Sequence, residues 1–440
     1  MEFLNQIIFI AIFSFFSYLI VKRCKTIRRN ILLGQKKYIP NSNKNEKLKN
    51  VLLLAFGQKK MFKKIIPAIL HLFIYLGFIL INIEILEIIL DGILGTHRIF
   101  APFLNKSYHL FISFFELLAL LVIFSCIIFL IRRNLLKIER FNKIELFGWP
   151  NLDANIILIA EIVLMVAILT MNATDLSLQN LNSITYTKTG SFIFSNYLTP
   201  YFKSFDENQI IIIERTAWWI HIIGIFSFSL YITYSKHLHI FLAFPNTYYS
   251  NNEPLGKMKE MPEITSEIES MLGVNQDSNK KSEPLTNRFG AKDINDLSWK
   301  NLLDAYSCTE CGRCTAECPA NITGKKLSPR KIMMDTRDRA EEFGQIINTN
   351  NIPEKTEKTL LDSYISREEI NACTSCNACT EACPININPL EIILELRRYI
   401  ALEESKAPNE WNAMFQNIEI NFSPWKFPIN DRFKWNKENR

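Results

Sequence analysis

Eight of the ten cysteines fall into two runs: Cys308, Cys311, Cys314 and Cys318 before Pro319, and Cys373, Cys376, Cys379 and Cys383 before Pro384. Both read C-x2-C-x2-C-x3-C-P, the spacing with which bacterial ferredoxins hold [4Fe–4S] clusters. Three evenly stepped thiolates let one loop wrap three iron corners of a cube, with backbone N–H groups aimed at the sulfides. The fourth cysteine then turns away with its proline, and in two-cluster proteins it ligates the other cube. The expected ligand sets are Cys308, Cys311, Cys314 and Cys383 for cluster 1, and Cys373, Cys376, Cys379 and Cys318 for cluster 2. Zinc prefers two separated C-x2-C knuckles around one tetrahedral ion, which these runs fit poorly. Cys24 and Cys126 stand apart, at a membrane flank and inside an apolar span, and are read as structural.

The second group with chemistry is histidine. All six, His71, His97, His109, His221, His237 and His239, lie in the first 245 residues. Imidazoles inside a bilayer are uncommon and usually functional, and paired axial histidines on facing helices are one way a helical bundle holds b-type haem.

The elements that must position these residues are of two kinds. The chain of 440 residues is 48% hydrophobic and 21% charged, with only 14 glycines, which excludes a collagenous or wholly disordered chain. Apolar windows long enough to cross roughly 30 Å of hydrocarbon occur at Phe3 to Val21, Ile65 to Leu90, Tyr108 to Ile131, Ala154 to Met171 and Ile210 to Tyr234. The connections Lys22–Lys64 and Arg132–Asp153 together carry nineteen Lys and Arg; Asp91–Ser107 and Asn172–Ile213 carry four. Because positive loops stay cytoplasmic, the amino terminus is expected outside and everything after the fifth span inside, where a reducing cytosol disfavours disulfides. The net charge of +6 is accounted for by anionic lipid at these flanks. With no nucleic-acid module in the sequence, nucleic-acid binding is not expected.

These spans place the histidines by depth. His71, early in an inward-to-outward span two, and His239, at the inner end of span five, form the expected inner haem pair. His221 and His239, eighteen residues and thus five whole helical turns apart, are expected to project from one face about 27 Å from one another. His237 would then point away from that seam. His221 lies nearer the outer face, where His97 or His109 could complete an outer site. Glu84, Glu87, Glu116 and Glu161 also fall within spans. They are read either as tied to the bundle or as proton carriers beside a quinone.

After Pro245 the chain turns polar. Residues 1–245 are read as a transmembrane helical bundle, 246–295 as a linker with at most a short helix near Glu263 to Leu272, and 296–440 as a soluble domain. Fifty-four residues separate Cys318 from Cys373, far more than a compact β-type ferredoxin uses. Ser328 and Pro329 read as the cap and first turn of a helix, and INPLEIILELRRYIALEE repeats proline followed by an amphipathic helix. The fold class is thus all-α: a five-helix transmembrane bundle followed by an α-helical ferredoxin.

CTECGRCTAECPANITGKKLSPRKIMMDTRDR and CTSCNACTEACPININPLEIILELRRY resemble the iron–sulfur subunit of heterodisulfide reductases and related bacterial Fe–S oxidoreductases. The front half resembles the haem-b subunits paired with such proteins, among them nitrate reductase gamma. That resemblance implies histidines on the second and fifth spans, which this sequence meets at His71, His221 and His239 but not at Ile81, near where the fourth is expected. It also implies a soluble partner carrying the CCG signature, one or two b haems and quinone as substrate.

No dinucleotide or P-loop fingerprint and no CCG signature occurs in this sequence, so the reading is an electron-transfer subunit between a quinone pool and a cytoplasmic partner. The alternative is a membrane-bound iron–sulfur redox sensor. The orientation has a direct test. A reporter fused after Arg440 should show cytoplasmic activity, and one fused within Asn172–Ile213 should not; the opposite pattern overturns the topology and the reducing-compartment argument together.

Overall fold

The computed structural model describes residues 2–36, 43–183, 185–273, 288–350, 357–431 and 433–438. Its regular structure is helical, with no β-strand among the described residues, as the sequence pattern requires. Five long apolar helices, α1 (Glu2–Ile31), α2 (Ile65–Leu94), α3 (Tyr108–Leu130), α4 (Trp149–Asn180) and α5 (Glu207–Ile232), are each long enough to cross a bilayer. The packed pairs are α2 on α3, α3 on α4 and α4 on α5, and α1 closes the ring between α2 and α5. Phe9 of α1 is buried against Phe13, Trp218, Trp219 and Phe226. Its ring lies where a Cβ on Gly92 would sit, at 2.7 Å, so only glycine lets α1 and α2 approach this closely. Elsewhere the bundle exposes apolar side chains, among them Phe15, Phe114 and Ile159, as a surface facing lipid must.

One end of the bundle is closed by buried polar groups. Arg98 donates to Asp175 at 2.8 Å, to Asn172 at 2.8 Å and to the Tyr108 hydroxyl at 3.1 Å. Tyr108 donates to Glu87, which also accepts from the Phe100 N–H, while Glu116 accepts from Phe194 and Ser195 N–H groups. Two of the in-span acids thus tie down the loops at this end.

At the other end the ferredoxin-like half docks directly. Helix α5 stops at Ile232, and the chain re-enters helix as α6 (His239–Tyr248). The cluster half contributes α7 (Trp299–Ser307), α8 (Arg313–Ala316), α9 (Pro329–Asn350), α10 (Ala378–Ala382) and α11 (Pro389–Leu402). Helix α9 begins at Pro329, with the Lys331 N–H on the Ser328 hydroxyl at 3.4 Å, matching the expected cap. Two expectations need correction. Helix α1 does not end with its apolar span: it runs on through KRCKTIRRNI and buries Ile27, Asn30 and Ile31 against α7 and α9. Nor is the segment after Pro245 a free linker at its ends. Asn246 and Thr247 are fully buried in α6, and Asn246 donates to the Ile385 carbonyl at 3.0 Å; Ala291 and Ile294 are also fully buried. The expected short helix is present as Pro262–Met271, and residues 274–287 lie outside the described residues.

The junction is pinned by ion pairs between this end of the bundle and the cluster half. Arg23 grips Glu341 with two bonds of 2.8 and 2.9 Å, Lys236 reaches Glu310 at 2.5 Å, and the fully buried Arg330 reaches Glu145 at 2.7 Å. Replacing Glu145 with Leu strands the Arg330 charge, at a cost of about 3–5 kcal/mol for a buried ion that loses its partner. The expected result is earlier thermal unfolding of the detergent-solubilised chain and protease cleavage at the junction. Unchanged melting would show that the pair does not hold the halves together.

Candidate metal centres

The two cysteine runs fold alike. In the first loop Glu310 and Gly312 have φ of 56° and 70°; in the second, Ser375 and Asn377 have 56° and 62°. Two left-handed residues per loop turn successive N–H groups inward into an anion-binding nest. The Glu310 N–H lies 3.4 Å from Cys308 Sγ and the Ser375 N–H 3.4 Å from Cys373 Sγ. Glycine is required at 312, where a Cβ would meet Arg330 Nη1 at 2.4 Å; asparagine, which tolerates this conformation, serves at 377.

The sulfurs neighbour one another across the runs. Burial, then the sulfurs of Cys311 and Cys308, push the Cys383 thiol up to about 12. Burial, then Cys308, Cys311 and Cys383, push the Cys314 thiol well above its ordinary value. On the other side Cys318 adds to the burial that raises Cys373 and that lifts Cys379 to about 11. Burial keeps these sulfurs as neutral thiols, and a metal bound here would take the place of their protons, since only the thiolate ligates. Among the described residues no three His, Cys, Asp or Glu side chains converge on a single ion position, whereas a cube spreads its four thiolates over four irons.

Two arginines brace the loops, and the sequence did not single them out because their targets are distant. Arg330 donates to the Arg140 carbonyl at 2.7 Å beside Gly312. Arg397 donates to the carbonyls of Ile370 and Cys373, both at 2.6 Å, and to the Ser375 hydroxyl.

His71 and His239 come together as expected, their ring centroids 6.5 Å apart. His71 Nδ1 lies 3.1 Å from the Gln58 side-chain oxygen and His239 Nδ1 lies 3.2 Å from the Lys236 carbonyl. The Lys236 carbonyl can only accept, so the His239 proton sits on Nδ1 and Nε2 keeps a free lone pair, the usual arrangement of a metal-ligating histidine, and Gln58 holds the His71 ring by the same nitrogen. Both rings line a cavity of about 370 Å³ whose other walls include Cys308, Cys311, Cys314 and Cys383. His237 lines it too, its ring 5.4 Å from that of His239. The single-helix geometry placed His237 on the far side; it fails because the chain leaves helix at Thr233 and restarts under the Ser235 hydroxyl, which accepts the His237 N–H.

The outer histidines do not assemble. His221 is fully buried beside a separate cavity that neither His97 nor His109 lines. His97 lies 3.6 Å from Asp175 and edge-on to Tyr186, and His109 packs under Gly190.

Residues 307–387 match the 4Fe-4S dicluster domain. Over 99% of its length the chain is 27% identical to the probable iron-sulfur-binding oxidoreductase FadF of Bacillus subtilis, and over 87% it is 26% identical to the EtfAB:quinone oxidoreductase of Syntrophomonas wolfei. It spans 61% and 53% of those two proteins. A segment covering 24% of the chain is 34% identical to 52% of one subunit of the ferredoxin/F(420)H(2)-dependent CoB-CoM heterodisulfide reductase of Methanosarcina acetivorans. No solved structure matches. With the paired cysteine loops and the five apolar helices, the chain is thus similar to iron–sulfur oxidoreductases over most of its length and to heterodisulfide reductase subunits over its cysteine-bearing part.

Proposed function

We propose that the chain is the electron-transfer part of a membrane oxidoreductase, exchanging electrons between a quinone/quinol pool and a cytoplasmic partner of the CCG type. The observation that carries this reading is the shared cavity, lined by the imidazoles of His71, His237 and His239 and by five cysteines of the two runs. One iron held between two imidazoles at metal–nitrogen bonds of about 2 Å needs ring centroids roughly 6–7 Å apart, and His71 and His239 stand at 6.5 Å. These two residues would hold a b haem, and the crossed cysteine sets Cys308, Cys311, Cys314, Cys383 and Cys373, Cys376, Cys379, Cys318 would each hold a [4Fe–4S] cube. Bound there, haem and clusters supply one-electron carriers.

The protein's own part is to position and insulate. Gln58 and Lys236 orient the imidazoles. Phe78, Phe241 and Phe244 keep the cavity apolar. Arg330, Arg397 and the inward N–H groups offset the negative charge of the thiolates. Cys376 is exposed while Cys308 and Cys379 are buried, so the second loop offers the accessible face for a soluble partner. The names of the relatives, a quinone oxidoreductase and a heterodisulfide reductase, support this direction of reading.

Two measurements test it. Acid-labile sulfide should approach about eight per chain and iron about nine, as two four-iron cubes and one haem iron require; zinc without labile sulfide would refute the cluster assignment. His71→Ala and His239→Ala should each abolish the same reduced-haem band and stop quinol-dependent cluster reduction, while dithionite still reduces the clusters. An unaltered haem spectrum in both variants would exclude this pair.

A further inference from the structure

Near the middle of the bundle lies a second cavity, of about 260 Å³, between α2, α4 and α5. His221 faces it from halfway along α5 and is fully buried. Its Nδ1 lies 3.0 Å from the Leu164 carbonyl. A carbonyl oxygen can only accept, so Nδ1 carries the proton and Nε2 is left as a bare acceptor. That Nε2 is buried and has no hydrogen-bond partner. Ile81 of α2 lines the cavity and offers no ligand atom, and no second histidine lines it, so the site lacks the paired imidazoles of a bis-histidine haem.

The other walls narrow the ligand. Glu161 of α4, almost fully buried, is a second polar group on the cavity wall. Asn82 and Phe241 are exposed on the surface that faces hydrocarbon and also line the cavity, so its mouth opens to lipid at mid-bilayer depth. Asn82 gives its side-chain N–H to the Phe78 carbonyl of its own helix, which leaves its side-chain oxygen as the acceptor open to a ligand. Phe78 and Phe241, edge-to-face with centroids 6.5 Å apart, line both this cavity and the one that holds His71 and His239. The occupant must therefore arrive through the bilayer, present a flat apolar ring to phenylalanines, and donate a hydrogen bond. A water-soluble molecule meets the last condition and fails the first.

We propose that this cavity binds the headgroup of a lipid-soluble hydroquinone, one O–H donating to His221 Nε2, with Glu161 and Asn82 serving the opposite oxygen and the tail leaving into lipid past Phe241. The proposal rests on the quinol reading above and adds its site. Because the forced tautomer offers an acceptor and no donor at Nε2, the reduced headgroup fits this atom and the oxidised one does not.

The test uses the full, cofactor-loaded chain in lipid nanodiscs, with menadiol as reductant and 2-heptyl-4-hydroxyquinoline N-oxide as a fluorescent binding probe. In His221→Phe the menadiol concentration for half-maximal haem reduction should rise at least ten-fold and probe quenching should be lost. The haem content and dithionite-reduced spectrum should stay at wild-type values. Asn82→Leu, at the exposed mouth and outside the packed interior, should show a several-fold rise in the same concentration, which keeps the test open if His221→Phe misfolds. A wild-type chain that menadiol cannot reduce would defeat the quinol reading itself. If wild type is reduced and both variants titrate as it does, the site is wrong and that reading survives. Loss of haem in His221→Phe would make His221 an iron ligand and overturn the proposal.

Discussion

Burial of charge where hydrocarbon gives way to protein is the constraint on which the rest of this structure depends. A cavity that holds imidazoles on one side and thiols on the other must exclude water, yet every polar group that shapes it needs a partner. The solution is a continuous core. Helix α1 carries Ile27 and Ile31 out of the membrane and into the packing of α7 and α9, so the iron–sulfur half is an extension of the bundle. Arg23 on Glu341, Lys236 on Glu310 and Arg330 on Glu145 then satisfy the charges that this continuity buries. Glu310 is itself one of the left-handed residues of the first cysteine loop, and it also binds Arg337 at 2.9 Å. One residue thus sets the conformation of the loop and fastens it to the membrane end.

The same economy appears in the histidines. Three of them, His71, His221 and His239, direct Nδ1 to a local oxygen and leave Nε2 unengaged by any backbone group. Two of these bare nitrogens face one cavity and the third faces its neighbour, with phenylalanine between. His97 is different in kind: it stands beside Asp175 and Tyr186 in the polar cluster that closes the opposite end.

Local patterns made much of this legible in the sequence. The cysteine spacing specified two like loops, and the repeated left-handed positions bear that likeness out. The apolar windows located all five long helices, and Ser328–Pro329 located the start of α9. Inference failed wherever it assumed that regular structure continues, or that partners are near in sequence. The polar cluster Thr233–Tyr234–Ser235 was a signal that α5 ends there, and reading through it displaced His237. The alternation of Ile27, Asn30 and Ile31 among basic residues was the corresponding signal that α1 goes on. Gln58, Arg330 and Arg397 carried no signal at all, since what they bond lies 13 to 190 residues away and only folding reveals it.

The depth of the His221 cavity has an electrical consequence. It lies about halfway along the helices, whereas the cysteine loops sit beyond one end, so a charge passing between them crosses about half of the bilayer. A full crossing costs about 2.3 kcal/mol per 100 mV for each elementary charge. In the orientation expected from the loop charges, with the lysine-rich face cytoplasmic and negative, electrons leaving the membrane toward the cysteine loops would climb roughly half of that, and electrons moving the other way would descend it. Turnover would then be voltage-dependent, and an energised membrane would bias the protein toward reducing its lipid-soluble partner.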